Sequence, residues 1–134
     1  RQGGSMVKFM NPDCVAKPTS NFSQCVEVPA GARRLIISGQ VGARPDGTIV
    51  QGMAAQTEQV FDNIFAVVRS QGMDIGDIVK ITTFCTRREE IGAMREVRTR
   101  KLAGHAPAST LVFVSGLANP DYLIEIEAEA VKAG

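Results

Sequence analysis

The sequence predicts an α+β domain in which two helices cover one face of a mixed β-sheet. Two observations indicate this class. Short runs rich in apolar and β-branched residues alternate with two segments of helical periodicity, in the order ββ-α-β-α-ββ. Each helix must bury its apolar side, and a sheet face is the surface that this order provides. The opposite sheet face is then left uncovered, which favours self-association.

Strands are predicted where short apolar or β-branched runs are bounded by turn residues. Pro45-Asp46-Gly47 is a strong turn signal between the second strand and the first helix. The last strand alternates acidic and apolar residues, which is typical of a strand with two different faces. The predicted strands are residues 23–28, 34–39, 77–86, 109–114 and 122–132.

Both helices are predicted from apolar side chains that recur at helical spacing and from a glycine after the last turn. The first covers residues 53–71 and is followed by Gly72. The second covers residues 88–103 and is followed by Gly104. The apolar side of the first helix comprises Thr57, Val60, Phe61, Ile64, Val67 and Val68. The inward residues of the second are Ile91, Met94 and Val97.

The composition limits the partners and cofactors that we expect. The formal net charge of +1 gives no strong field for nucleic acid or an anionic membrane, and we expect neither partner. No apolar run approaches the roughly 20 residues that span a bilayer. The chain has 3 cysteines at wide spacings and 1 histidine, so we expect no metal site and no cofactor. The odd number of cysteines and the lack of a secretion signal favour a reducing, cytoplasmic location.

Six short stretches are distributed over nearly the whole chain after about residue 20. They are FSQ at 22–24, ISGQ at 37–40, QTEQVFDNI at 56–64, DIVK at 77–80, PA at 107–108 and IEIEA at 124–128. In their order and spacing they resemble the Rid family of imine/enamine deaminases, also called the YjgF or L-PSP endoribonuclease-like family. Residues 6–134 are interpreted as one domain of this kind, and residues 1–5 as the remnant of an expression tag before Met6.

The resemblance implies a chorismate-mutase-like two-layer fold, with a mixed sheet of about six strands covered by two helices on one face. It also implies a homotrimer with clefts for a small-molecule ligand between its subunits. Active members hydrolyse reactive 2-imino or 2-enamino acids to 2-oxo acids and ammonia. That chemistry needs a carboxylate to direct water and a positive group to hold the substrate carboxylate.

Three residues match cleft positions of the family. Glu125 matches the cleft glutamate and is the predicted water-directing residue, although the alternation of its strand alone would place it on a solvated face. Ser38 matches a cleft serine, and a strand-end serine bonded to the backbone is the alternative. Phe22 stands where many members have tyrosine, so its ring can line an apolar pocket but a phenolic hydrogen bond is lost.

The main departure from the family pattern is Ser109, which stands where deaminating members carry an arginine that clamps the substrate carboxylate. Leu111 replaces a small or thiol residue of some members and makes the predicted pocket more apolar. Arg95 occupies a position where many deaminating members have asparagine. It either supplies a positive charge to the pocket or points to solvent with the other basic residues of its helix.

The sequence leaves two functions open. One is a hydrolytic deaminase of imine or enamine intermediates, with altered substrate specificity because Ser109 replaces the clamp arginine. The other is a non-catalytic trimer that binds a small molecule in the same clefts. A ribonuclease is not expected, because the basic second helix has interleaved acidic residues and no aromatic residues for stacking on bases.

Overall fold

The computed structural model describes residues 6–134, and the predicted tag remnant lies outside the described residues. Short 3₁₀ turns at Ile75–Asp77 and Arg88–Glu90 precede a strand and a helix respectively. Neither helix of this part of the chain is long and apolar enough to cross a membrane. The elements are β1 (Lys8–Met10), β2 (Cys25–Glu27), β3 (Arg33–Val41), α1 (Met53–Ser70), β4 (Ile78–Cys85), α2 (Ile91–Leu102), β5 (Ala108–Phe113) and β6 (Ile124–Lys132).

The strands of residues 6–134 form a main sheet in the order β3-β6-β4-β5 and a separate β1-β2 pair. β6 runs antiparallel to both of its neighbours, whereas β4 and β5 are parallel. The two-layer α+β class is therefore confirmed, but the six strands lie in two sheets instead of one. β1 was not predicted, because three residues are too few to show an alternating pattern.

The core lies between the main sheet and the two helices. Along β6, Ile124, Ile126 and the alanines at 128 and 130 are buried, while the intervening glutamates lie on the other face. Val60, Phe61, Ile64 and Val68 of α1 are fully buried, as their helical spacing predicts. The open face of the sheet carries exposed apolar side chains, including Ile36 at 71% exposure.

Most element boundaries agree with the sequence prediction to within two residues. α1 ends at Ser70 and Gly72 follows with a positive φ of 76°, which only glycine adopts without strain. The backbone amide of Gly72 donates to the carbonyl of Arg69 at 3.1 Å, so the glycine predicted to end α1 is confirmed. α2 begins at Ile91, three residues later than predicted, because the preceding residues form the 3₁₀ turn.

A buried amide on α1 joins the two loops that lead into α1 and β6. Gln56 is 1% exposed, and its Nε2 donates to the carbonyls of Val50 at 3.0 Å and Asp121 at 2.9 Å. Its Oε1 accepts from the amide of Leu123 at 2.8 Å. A Cβ at position 42 would lie 2.5 Å from the Gln56 Cγ, so Gly42 makes room for this side chain. Gln56 therefore holds the start of β6, where Glu125 lies, against the helix layer.

Replacing Gln56 with leucine is expected to lower the free energy of unfolding by about 3 kcal/mol or more, because buried backbone groups lose their partners. Urea denaturation monitored by circular dichroism measures this change. Gln51→Leu is the matched control, because Gln51 is exposed and its amide makes a long 3.4 Å contact with the carbonyl of Ile49. We expect the control to change stability by less than about 0.5 kcal/mol. Equal losses in the two variants would contradict a bracing role for Gln56.

Candidate functional site

A cavity of about 210 Å³ lies between α2 and the helix-facing side of β5. It brings together four residues that the sequence predicts to bind a ligand. We call it the α2 cavity. Those four are Phe22, Arg95, Ser109 and Leu111, and the other lining residues are Thr19, Ser20, Thr83, Met94 and Arg98.

The alternation of β5 explains why Ser109 and Leu111 reach this cavity. Alternate residues of a strand share a face, and these two point to the helix layer. Thr110, between them, points to the open face, where its Oγ1 accepts from the Nζ of Lys80 at 2.8 Å. Thr83 of β4 pairs with Leu111 in the parallel register and extends the same lining. The cavity floor is therefore set by strand register.

The structure adds one residue that was not predicted to bind ligand. Arg98 of α2 is only 8% exposed. Its Nη2 donates to the backbone carbonyl of Asn21 at 3.1 Å and makes a longer contact of 3.4 Å with the Oγ of Ser109. Within residues 6–134, its buried Nε has no hydrogen-bond partner. A positive group therefore lies against Ser109, the position where the resemblance places the clamp arginine of deaminating members.

The charge of Arg98 is buried without an acidic partner in the described part of the chain. Burial lowers the pKa of Arg98 below its ordinary value, and the positive charge of Arg95 lowers it further. The ordinary pKa of arginine lies so far above neutral that the guanidinium remains protonated near neutral pH. The α2 cavity is therefore lined by two cationic side chains.

Arg98 is not among the predicted site residues, because the many basic residues of α2 are expected to point to solvent. A signal was present, however. Arg98 lies four residues after Met94 and four before Leu102, both of which are buried. Residues four apart share a helix face, so this spacing places Arg98 on the inward side. Arg95 lines the cavity, and its side chain is also exposed to solvent.

Glu125 and Ser38 lie away from the α2 cavity. Glu125 is half-buried on β6, opposite Val41 and Phe84, and faces the open side of the sheet. Its carboxylate packs over Gly39, because a Cβ at position 39 would overlap the Glu125 carboxylate. This contact occurs where the pairing of β3 with β6 shifts register between residues 37 and 40.

Ser38 is exposed in this irregular part of β3 and lines a groove on the open face. The same groove is lined by Lys80, Glu127 and Glu129. The sheet therefore separates the predicted site into two parts within one chain. Four residues line the α2 cavity, and the other two lie on the opposite face. No group of three or more His, Cys, Asp or Glu side chains in residues 6–134 is arranged to hold a metal.

The helix-covered mixed sheet and the cavity at its edge strand define a protein of the L-PSP structural class. The family model described as "Endoribonuclease L-PSP" matches residues 14–132. The chain therefore belongs to the Rid family, also called the YjgF or L-PSP endoribonuclease-like family, as its motifs predicted.

Relatives with known sequences and structures agree with this assignment. A RutC family protein of Pyrococcus horikoshii is 36% identical over 118 residues, which cover 87% of this chain and 90% of the relative. The 2-iminobutanoate/2-iminopropanoate deaminase of Escherichia coli is 35% identical over 102 residues, covering 73% of this chain and 79% of that protein. The crystal structure of the Rid-family protein YyfB of Yersinia pestis has a TM-score of 0.83 at 34% identity, covering 92% and 97% of the two chains. The predicted chorismate-mutase-like fold is thereby confirmed.

Replacing Arg98 with methionine is expected to change the free energy of unfolding by less than about 1 kcal/mol, because a buried charge without an acidic partner contributes little net stability. Met94→Ala is the comparison variant on the same helix face. Met94 is 1% exposed, and its truncation should cost about 2–5 kcal/mol. Urea denaturation of both variants measures the difference. Similar losses would show that Arg98 is a structural tie between α2 and the loop at Asn21.

Proposed function

We propose that the protein is a hydrolase of reactive imine or enamine intermediates and that Glu125 directs the attacking water. Its membership of the Rid family and its similarity to a 2-iminobutanoate/2-iminopropanoate deaminase support this activity. The active form would be a homotrimer in which the α2 cavity of one subunit and the Glu125 region of the next form one cleft. The ligand is a small molecule that carries a carboxylate.

The observation that carries the proposal is the separation of Glu125 from the α2 cavity by the main sheet. One chain does not bring these groups to the same substrate, and the proposed assembly would do so. The open face that would meet a second copy carries Ile36 at 71% exposure and Val112 at 38% exposure. Apolar side chains exposed on a sheet face favour burial against another surface. Assembly would therefore cover this face and complete the site together.

The proposed reaction needs modest chemistry. Water adds to the imine carbon while Glu125 accepts a proton from it, and the resulting nitrogen takes up protons and leaves as ammonia. The imine carbon–nitrogen bond is replaced by a carbon–oxygen bond, so one water is consumed for each 2-oxo acid released. Glu125 is half-buried beside Gly39, which supports a fixed orientation for its carboxylate.

A second function is favoured by Ser109. The family clamp arginine is absent from this position, so the clefts could bind a small molecule without turnover. Ligand binding without product formation would favour this non-catalytic trimer over the deaminase.

Replacing Glu125 with glutamine should lower turnover by about 100-fold or more, because an amide cannot accept the proton of water. The assay follows release of 2-oxo acid from a 2-imino acid made in situ by an amino-acid oxidase. Glu127→Gln is the matched control, because it lies two residues further along the same face of β6. Absence of any rate increase with the wild-type protein would exclude the deaminase. Equal rates in wild type and Glu125→Gln would exclude the role of Glu125.

The wild-type protein is expected to elute as a trimer, with about three times the 14.3 kDa mass of one chain in light scattering. Ile36→Asp should weaken this assembly, because it places a charge on the face that would become buried. Val15→Asp is the control, because Val15 is 50% exposed but lies in the loop before β2, outside the main sheet. A wild-type monomer, or equal effects of the two variants, would contradict assembly through the open face.

A further inference from the structure

We propose that Arg98 of α2 takes the place of the absent clamp arginine and binds the carboxylate of the ligand in the α2 cavity. This inference rests on the proposed function for the ligand class, which is a 2-imino or 2-oxo acid. It assigns to a helix residue the role that deaminating relatives give to a strand residue.

The position of the guanidinium is the first support. Arg98 and Ser109 both line the α2 cavity, and the Arg98 Nη2 lies 3.4 Å from the Ser109 Oγ. A 3.4 Å contact is longer than a good N–H···O hydrogen bond, so Ser109 holds this nitrogen weakly. The short serine side chain leaves space beside β5 in which a ligand carboxylate can meet the guanidinium.

The bonding of the guanidinium is the second support. A guanidinium has five N–H donors, and the partners of Arg98 within residues 6–134 are the neutral oxygens of Asn21 and Ser109. Its Nε is buried and has no partner in that part of the chain. A buried cation without a counter-charge is unfavourable, and a planar carboxylate is the group that matches its paired donors.

The remaining lining defines the ligand further. Hydroxyl groups and two guanidinium groups provide its polar surface, and no lining residue among those described is acidic. Phe22, Met94 and Leu111 provide the apolar surface. At about 210 Å³ the cavity is below the roughly 300–1,000 Å³ of drug-sized pockets. It therefore suits a small monocarboxylate with a short apolar side group.

A purely structural role for Arg98 is the competing explanation. Its bond to the carbonyl of Asn21 ties α2 to the loop before β2, and loss of that tie would alter stability. It would not make ligand affinity depend on the ligand's own charge. Comparing a charged ligand with its neutral analogue therefore separates the two roles.

The experiment measures the dissociation constants of pyruvate and of uncharged pyruvamide by calorimetry. Arg98→Met should weaken pyruvate binding about 30-fold or more and leave pyruvamide nearly unchanged. Arg98→Lys should retain part of the affinity, because lysine keeps the charge but not the fork. Arg100→Met is the matched control, because Arg100 is exposed on α2 and pairs with Glu58.

A double variant tests whether the two positions are equivalent. Ser109→Arg combined with Arg98→Met places the guanidinium at the family position and should restore pyruvate affinity to within about 5-fold of wild type, because one clamp replaces another. Failure of this double variant to exceed Arg98→Met would argue against equivalence of the two positions.

Several outcomes would overturn the inference. The first is that the wild-type protein does not bind pyruvate. The second is that wild type and Arg98→Met bind pyruvate equally well. The third is that Arg98→Met weakens the binding of pyruvate and of pyruvamide to the same extent. Tighter binding of inorganic phosphate than of pyruvate would overturn the carboxylate assignment. Turnover of imines without dependence of pyruvate affinity on Arg98 would reject the clamp and retain the proposed function. Pyruvate binding that depends on Arg98, in a protein that does not turn over imines, would retain the clamp and reject the proposed function.

Discussion

The two-residue alternation of β6 is the constraint on which the rest of the structure depends. β6 lies between β3 and β4 and pairs antiparallel with both, so its register determines theirs. Its isoleucines and alanines complete the core, while its glutamates face the open side. A slip of one residue would bury the glutamates and expose the core residues, so burial strongly favours the observed register. The same constraint that forms the core therefore orients Glu125.

Close packing around two glycines refines the position of that carboxylate. Gly39 leaves room for Glu125 in the irregular part of β3, and Gly42 leaves room for Gln56 on α1. The buried Gln56 amide then holds the backbone just before β6. Stability and the proposed chemistry are therefore coupled. The Gln56 amide satisfies buried backbone groups, and the same hydrogen bonds fix the start of the strand that carries Glu125.

In the α2 cavity, a positive charge lies beside a position of the sequence that carries no charged residue. The family arginine is absent at Ser109, yet the guanidinium of Arg98 reaches the same serine from a neighbouring helix. A long, flexible side chain can deliver its head group from several backbone positions. Loss of an arginine at a motif position therefore need not remove the positive charge from the cavity. The charge can come from another element and would hold a ligand from a different direction.

The sequence by itself determined the α+β class, the limits of α1, the two faces of β6 and membership of the Rid family. These features depend on periodicity within one segment or on ordered short motifs, which are local properties. Only the tertiary structure decided that β1 and β2 form a separate sheet, that Arg98 is buried and that the main sheet divides the predicted site. Each of these depends on contacts between segments far apart in the chain, such as the bond from Arg98 to Asn21. No local pattern encodes such contacts, although the spacing of Arg98 from Met94 and Leu102 pointed to its inward side.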